Sequence, residues 1–404
     1  MMSLSNKLDY LEETKAQIKN AIMQKGIQIA DTDTFRSYAN KISQIKESGN
    51  ISSDDDWQPE LDWRNIEDIL DNDTEEYEQK MILLLTDELD DSVKCEIKGF
   101  QKYKLSDGQT IEANTSTLTE LEFNTSKDKE CSKGYNTRYV ICYSNSANAL
   151  NISLPENIIY IILKKIKASV SFLNNKYFLE GVRINELNMA NTSFSSFFKD
   201  NVNLKKIEGF PENTNFMSSN KSIMNIFNGC ISLKENIVKD FTGKTELNNL
   251  FYQCEKINNL DKTIFDENTT NLSSAFMGMT NIKELLFDFS TGTLHTISQA
   301  FNGCKKLKKI GKLNLLNAIT QSSNNNVFTG CVSLIDIEEI TNISISLNFS
   351  TCTLLSHLTL LRILNGLVDL TGQDNKTLTL GIVNLNKLTD EEKSIATNKN
   401  WILK

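Results

Sequence analysis

The chain has 404 residues, of which 39% are hydrophobic and 24% charged, and its net charge is −9. These proportions exclude an intrinsically disordered protein, and the length indicates two or three separate cores. The acidic excess lies in residues 51–150. Because binding to phosphate needs a net basic face, we expect no nucleic acid as the main partner. No apolar run is long enough for a signal peptide or a membrane span, so we expect no membrane insertion.

Residues 1–46 show a helical pattern in which apolar side chains recur alternately every three and four residues, with Lys15 at one position of the series. The apolar members of this seam are Leu4, Leu8, Leu11, Ile18 and Ile22. Such a heptad pattern predicts a helical module that anchors the chain or oligomerises, with a homotrimer as the expected state. A self-contained helical hairpin is the alternative, because a second short helix is predicted over residues 35–45.

Residues 47–56 combine serines, aspartates and Gly49, which predicts a linker. Residues 57–150 predict a small β domain with strands at 81–85 and 139–143, where apolar, β-branched and aromatic residues concentrate. The dipeptide Asp107-Gly108 predicts a tight hairpin turn between the segments 103–105 and 109–111. Because no helical pattern separates the strands, we expect a small sandwich or barrel.

The C-terminal half repeats the pattern Phe-x-x-Cys-x-x-Leu at spacings of 21 to 27 residues. The first two positions of the six clear copies are Phe227, Cys230, Phe251, Cys254, Phe276, Met279, Phe301, Cys304, Phe328, Cys331, Phe349 and Cys352. This period predicts a leucine-rich-repeat solenoid over residues 165–377, in which each copy adds a short strand to a parallel ladder. Met279 replaces cysteine in one copy, which a packing role permits and a metal or disulfide role does not.

Residues 378–404 predict a cap over the last repeat. Thr389 and Glu392 match a capping box at the start of a helix, and the apolar residues Trp401 and Ile402 follow this helix. The expected fold class is therefore α+β and multidomain. It comprises an N-terminal helical module, a small β-sandwich-like domain and a C-terminal leucine-rich-repeat solenoid with a parallel β ladder.

Residue types that carry catalysis are scarce. His295 and His357 are the only histidines, and the sequence has no phosphate-binding loop and no Cys-x-x-Cys pair. General-base, triad and zinc schemes depend on such residues. We therefore expect a non-enzymatic protein without catalytic, cofactor-binding or metal-binding residues. A glycosidase that uses two carboxylates of residues 51–150 stays open, because a sequence does not show how far apart they lie.

Residues 305–312 form a basic segment, Lys-Lys-Leu-Lys-Lys-Ile-Gly-Lys. A solvated outer face of one repeat explains it without any function. The functional alternative is attraction to an anionic glycan or an acidic protein, helped by equivalent positions of neighbouring repeats. The candidate ligand-binding residues are Lys205, Lys206, Asn258, Asn259, Lys283, Glu284, Lys308 and Lys309.

The Phe-x-x-Cys-x-x-Leu repeats over residues 190–360 resemble the BspA-like class of leucine-rich repeats, which is common on adhesive bacterial surface proteins. Repeats of that class typically carry an Ile-Pro step, whereas only Pro211 lies in this solenoid. Residues 8–15 and 31–38 resemble the N-terminal module of tail-fibre and other structural proteins of phages of gut bacteria, including crAss-like phages. Residues 388–393 resemble C-terminal units of the same group.

These resemblances imply a phage virion structural protein, most directly a tail fibre or receptor-binding protein. Its N-terminus would attach to other virion proteins, and its solenoid would bind a host cell-surface glycan or protein. It would be located in the virion, after assembly in the host cytoplasm and release by lysis. The alternatives are a purely structural component of the tail or capsid and a bacterial surface adhesin.

Overall fold

The computed structural model describes residues 64–86, 94–123, 129–130, 136–189, 194–209, 222–235, 238–260, 263–319 and 326–404. The chain divides into two compact units, Met1–Gln58 and Pro59–Lys404, and all described residues belong to the second. The predicted helical module 1–46 with its heptad seam and the predicted linker 47–56 lie outside the described residues. They stay predictions.

The described chain is mostly β with few helices, and residues 160–403 form a β-solenoid of about nine turns. The predicted solenoid is thus confirmed, whereas its assignment to the leucine-rich-repeat class stays a prediction. The predicted fold class was α+β, whereas the described part is mostly β. The predicted helical module, residues 1–46, lies outside the described part. The helices are α1 (Arg64–Asp71), α2 (His357–Asn365), α3 (Ile382–Leu385) and α4 (Asp390–Asn398).

Within the described residues, seven strands precede the solenoid and form what we call the β module. They are β1 (Gln79–Thr86), β2 (Lys94–Ile97), β3 (Lys102–Leu105), β4 (Thr110–Glu112), β5 (Thr119–Glu122), β6 (Lys129–Glu130) and β7 (Asn136–Ser144). β1 contains the apolar run at 81–85, is buried along its whole length and pairs antiparallel with β7. β3 and β4 form the hairpin predicted around Asp107-Gly108. Both predicted strands of this region are confirmed.

The later strands are β8 (Ile158–Ala168), β9 (Gly181–Ile184), β10 (Leu187–Met189), β11 (Lys206–Glu208), β12 (Asp240–Phe241), β13 (Ile264–Phe265), β14 (Glu284–Phe289), β15 (Lys309–Asn314), β16 (Asp336–Thr341), β17 (Leu347–Asn348), β18 (Lys376–Thr379) and β19 (Trp401–Leu403). One sheet, in the order β11-β9-β8-β1-β7-β3-β4, joins the β module to the solenoid. Within it, β8 pairs antiparallel with β1 and in parallel with β9. β8 begins at Ile158, inside the interval 151–164 left between the two predicted domains, and continues into the predicted solenoid.

Stacked phenylalanine rings form the centre of the solenoid. Phe198 and the six repeat phenylalanines follow one another at centroid distances of 4.6 to 6.4 Å, with interplanar angles of 2° to 23°. All seven rings are buried. Each such pair stabilises the fold by about 0.5–1.5 kcal/mol beyond its area burial, so one ring per turn reinforces the regular period.

The repeat cysteines are buried hydrogen-bond donors as well as small packing residues. Through Sγ, Cys230, Cys254, Cys304 and Cys331 each donate to a phenylalanine carbonyl oxygen of the preceding turn, at 2.9 to 3.0 Å. Burial raises the pKa of Cys304 to about 12, so this thiol keeps its proton at neutral pH. The sequence predicted the packing role but not the hydrogen bond.

The tight turns from Phe198 to Phe301 each contain two residues in the left-handed region of backbone conformation. The glycines before the cysteine position, such as Gly303, have φ of 76° to 78°, and Gln253 adopts 57° in a copy without glycine. A second position, four residues earlier, has φ of 52° to 60° and is occupied by Asn225, Asn249, Ser274 and Gln299. Backbone bonds from these turns, such as Phe276 N–H to the Ala300 oxygen at 3.0 Å, tie each turn to the next.

The last strands, β17, β18 and β19, form a separate parallel ladder at the C-terminal end. The predicted capping box is confirmed, since Thr389 Oγ1 accepts from the Glu392 N–H and the Glu392 carboxylate accepts from the Thr389 N–H. Trp401 is buried, and its indole N–H donates to the Val368 oxygen at 2.9 Å. Residues 378–404 thus contribute one more strand and cover apolar surface.

Candidate ligand-binding face

Three strands of the solenoid, β14, β15 and β16, are each six residues long and pair in parallel, with one register shift between Leu285 and Asp288. Together they form an outer surface. Residues of β14 alternate between exposed and buried, as expected for a strand with one face on the core. The strand register places charged residues in two rows across the turns. We define the ladder face by these residues: Glu284, Asp288, Lys309, Lys312, Asp336 and Glu339.

Charges on and beside the ladder face pair between neighbouring turns. Lys309 Nζ lies 2.7 Å from the Glu338 carboxylate, and Lys312 Nζ lies 2.7 Å from Asp288. The hydrogen bond from Lys312 lowers the pKa of Asp288 below its ordinary value. Exposed ion pairs of this kind contribute about 0–1 kcal/mol to stability. They orient the outward side chains more than they hold the fold together.

Four of the eight predicted ligand residues lie together at this surface. Glu284 and Lys309 are partners in the strand register. Lys283 and Lys308 precede them, are both exposed, and are joined by a backbone hydrogen bond of 2.7 Å from the Lys308 N–H to the Lys283 oxygen. These four residues therefore lie close together, and their role in binding stays a prediction.

The other four candidates lie on earlier turns. Asn258 and Asn259 are exposed at the equivalent position of the repeat before Lys283. Lys205 forms an ion pair with Glu180 at 3.3 Å, and Lys206 forms one with Glu208. Carboxylates thus accompany several of the predicted lysines. The surface carries both signs of charge, which weakens the expectation of a purely anionic ligand.

Helix α2 borders the ladder face and packs on β16. Ser356 caps its N-terminus by accepting from the Thr359 N–H at 3.1 Å. Arg362 donates to Asp336 Oδ1 at 2.7 Å and to the Ile337 oxygen at 3.0 Å, and Thr359 Oγ1 donates to the same carboxylate at 2.8 Å. These bonds fix the helix against the strand. This helix is absent from the sequence-based predictions, although Ser356 before an apolar run is a signal for a helix start.

A groove of about 440 Å³ lies between β16 and α2, within the size range of ligand pockets. The lining residues that bear on its chemistry are Glu339, Thr341, Leu358, Leu361, Arg362 and Asn365. Leu358 is 57% exposed. Gly366 lets the helix end approach the strand, because a Cβ there would collide with the carbonyl oxygen of Ile340. The register of β16 and the position of α2 create this groove together, and no sequence pattern indicates it.

The unpaired polar groups of this region suit binding. Neither the Glu339 carboxylate nor the Asn365 side-chain amide has a hydrogen-bond or ion-pair partner within the described residues. His357 Nε2 lies 2.9 Å from Glu392, and His295 is exposed on another turn. Across the residues that the structure describes, no group of three or more His, Cys, Asp or Glu side chains could hold a metal ion.

In the described part of the chain, no helix has the length and apolar character needed to cross a membrane. Comparisons with models of protein families, with curated proteins and with solved structures found no match for this chain. The BspA-like and phage resemblances therefore stay predictions from the sequence.

Proposed function

We propose that this chain is a non-enzymatic phage protein, a tail fibre or receptor-binding protein that binds a host cell-surface protein or glycan through its solenoid. The ladder face and the groove beside it are the observation that supports binding. Stacked rings and backbone bonds between turns hold the fold from inside. The outward side chains can therefore change without loss of the fold, as in other solenoids that bind partners along equivalent positions.

The assignment to a phage particle is supported by the sequence resemblance alone. In this proposal, the N-terminal residues attach to other virion proteins and the heptad seam assembles three copies. Light scattering of the full chain and of a chain lacking residues 1–50 tests this part. We expect a trimer and a monomer, respectively. A monomeric full chain would contradict the trimer.

A purely structural role in the tail or capsid is the second candidate. The ion pairs of the ladder face favour it, because a largely neutralised surface can pack against a neighbouring virion protein. This role predicts that particles fail to assemble without the solenoid, whereas the receptor-binding role predicts assembled particles that do not adsorb. Detection of the chain on uninfected bacteria would instead support an adhesin.

Binding of the labelled full chain to a panel of gut bacterial isolates, measured by flow cytometry, tests the receptor-binding role. The variant Lys283→Glu/Lys308→Glu reverses two exposed charges beside the ladder face. The matched control, Lys256→Glu/Lys305→Glu, reverses two exposed charges, one in the repeat before that of Lys283 and one in the repeat of Lys308. We expect about tenfold weaker binding, or ~1.4 kcal/mol, for the first variant only. Absence of binding to every isolate, or equal effects of the two variants, would contradict the proposal.

A further inference from the structure

We propose that the groove between β16 and α2 binds a lysine or arginine side chain of the partner protein. This inference rests on the proposed function and deepens it, because it selects a protein partner and names the chemistry of the contact. It follows from the charges, the apolar wall and the size of the groove.

The charges around the groove leave one carboxylate without a hydrogen-bonded cation. Asp336 is paired with Arg362 at 2.7 Å, and the neighbouring Glu338 with Lys309 at 2.7 Å. Lys312 is the register partner of Glu339, but its Nζ bonds to Asp288 on the opposite side. Within the described residues, the Glu339 carboxylate thus has no hydrogen-bonded cation and interacts with the Lys312 charge only at longer range. A cationic group docked there forms a charge-assisted hydrogen bond, which is stronger than a neutral one.

The helix supplies an apolar wall beside this carboxylate. Leu358 and Leu361 are three residues apart and therefore lie on one face of α2, and Leu358 is largely exposed. Asn365 follows one turn later on the same face, and the oxygen of its side-chain amide has no partner within the described residues. Lysine and arginine side chains are complementary to these features, since their methylene stems pack on apolar surface while the charged head reaches an acceptor.

The alternatives fit less well. An acidic peptide or an anionic glycan would bring a like charge towards Glu338 and Glu339, which is unfavourable. The hydroxyls of a neutral sugar would donate hydrogen bonds to the Glu339 carboxylate but would bring no opposite charge. The volume of about 440 Å³ is sufficient for one long side chain and part of the backbone that carries it.

Fluorescence anisotropy of labelled pentapeptides with the full chain tests this inference. The probes are Gly-Ala-Arg-Ala-Gly with blocked ends and the same peptide with citrulline, which keeps the shape of arginine without its charge. We expect the arginine peptide to bind at least about tenfold more tightly than the citrulline peptide. Glu339→Gln should abolish this difference, whereas Glu255→Gln, which removes an exposed carboxylate on another turn, should leave it unchanged.

Equal affinities for the two peptides, an unchanged preference in Glu339→Gln, or binding of a neutral oligosaccharide in place of the arginine peptide would overturn the inference. Cell binding by the same variants separates it from the proposed function. If the wild-type chain binds cells and Glu339→Gln binds them equally well, the groove proposal fails and the proposed function stands. If the arginine peptide binds through Glu339 but the chain binds no cells, the proposed function fails and the groove proposal stands.

Discussion

Two carboxylates of this chain, Asp73 in the β module and Asp288 on the ladder face, pair with lysines in opposite surroundings. The side chain of Asp73 is 1% exposed and accepts from Lys80 at 2.6 Å, Tyr143 at 2.9 Å and Lys104 at 3.3 Å. Asp288 is largely exposed and pairs with Lys312 at a similar distance, 2.7 Å. Distance alone therefore does not rank the two pairs. Loss of water around Asp73 makes its partners indispensable, whereas the ladder pair can be exchanged for other contacts.

The largest effect is expected for Asp73→Asn. The variant leaves Lys80 without its buried counterion, which costs about 3–5 kcal/mol in the free energy of unfolding. Asp71→Asn is the matched control, because the Asp71 side chain is 72% exposed and pairs with Lys164 at 2.9 Å. We expect the control to lose no more than about 1 kcal/mol. Urea denaturation measures both, and equal losses would contradict the importance of burial.

The stabilisation by Asp73 should depend on pH. Burial raises the pKa of Asp73, but hydrogen bonds from Lys80 and Tyr143, together with the Lys80 charge, outweigh burial, and the pKa lies below its ordinary value of 3.8. A carboxylate with a lowered pKa stabilises the folded state above its unfolded pKa and loses this effect as pH falls through the folded value.

The difference in unfolding free energy between wild type and Asp73→Asn should therefore stay constant from about pH 7 to pH 5 and shrink below about pH 3. Denaturation series at these pH values measure it. A difference that persists unchanged at pH 2 would show that the charge of Asp73 is not the source of the stabilisation.

A smaller effect is expected for the buried but neutral contact of Cys304. Cys304→Ala removes the donor to the Phe276 oxygen, at 3.0 Å, together with one buried sulfur atom. Cys142→Ala is the control, because Cys142 is equally buried and its thiol has no hydrogen-bond partner among the described residues. We expect Cys304→Ala to lose about 0.5–1.5 kcal/mol more than the control, the contribution of one hydrogen bond. Identical losses of unfolding free energy would show that the repeat cysteines stabilise the fold by packing alone.

The smallest effect is expected on the ladder face. Asp288→Asn breaks the exposed pair with Lys312 and should change the unfolding free energy by less than about 1 kcal/mol, less still at high salt. Thermal unfolding at low and high salt measures it. A loss comparable with that of Asp73→Asn would mean that the outer face holds the fold and is not free for recognition.

The interior of the solenoid was predictable because its physics repeats along the chain. One phenylalanine per turn must stack on the next, so Phe276 and Phe301 recur at the solenoid period. The capping box of Thr389 and Glu392 was predictable for a different reason, since both partners lie within one helical turn. The second left-handed position was missed, although asparagine at 225 and 249 is among the residues that adopt this conformation most readily.

The candidate site was predictable only in part. Repeat equivalence placed Lys283 and Lys308 side by side, but the pair of Lys309 with Glu338 joins residues on different turns and depends on the strand register. The position of α2 depends likewise on Arg362 reaching Asp336. Strand register and helix docking are tertiary properties. No local sequence pattern therefore indicates the groove, or the absence of a hydrogen-bonded cation at Glu339 within the described residues.

The central claim is that the ladder face binds the partner and the interior stabilises the fold. Its most direct test is a combined variant with serine in place of Glu284, Asp288, Lys309, Lys312 and Glu339. Its thermal unfolding and its binding to a recognised bacterial isolate are measured on the same preparation. We predict an unfolding midpoint within about 4 °C of wild type and binding reduced to background. Binding at the wild-type level by the folded variant would contradict the claim.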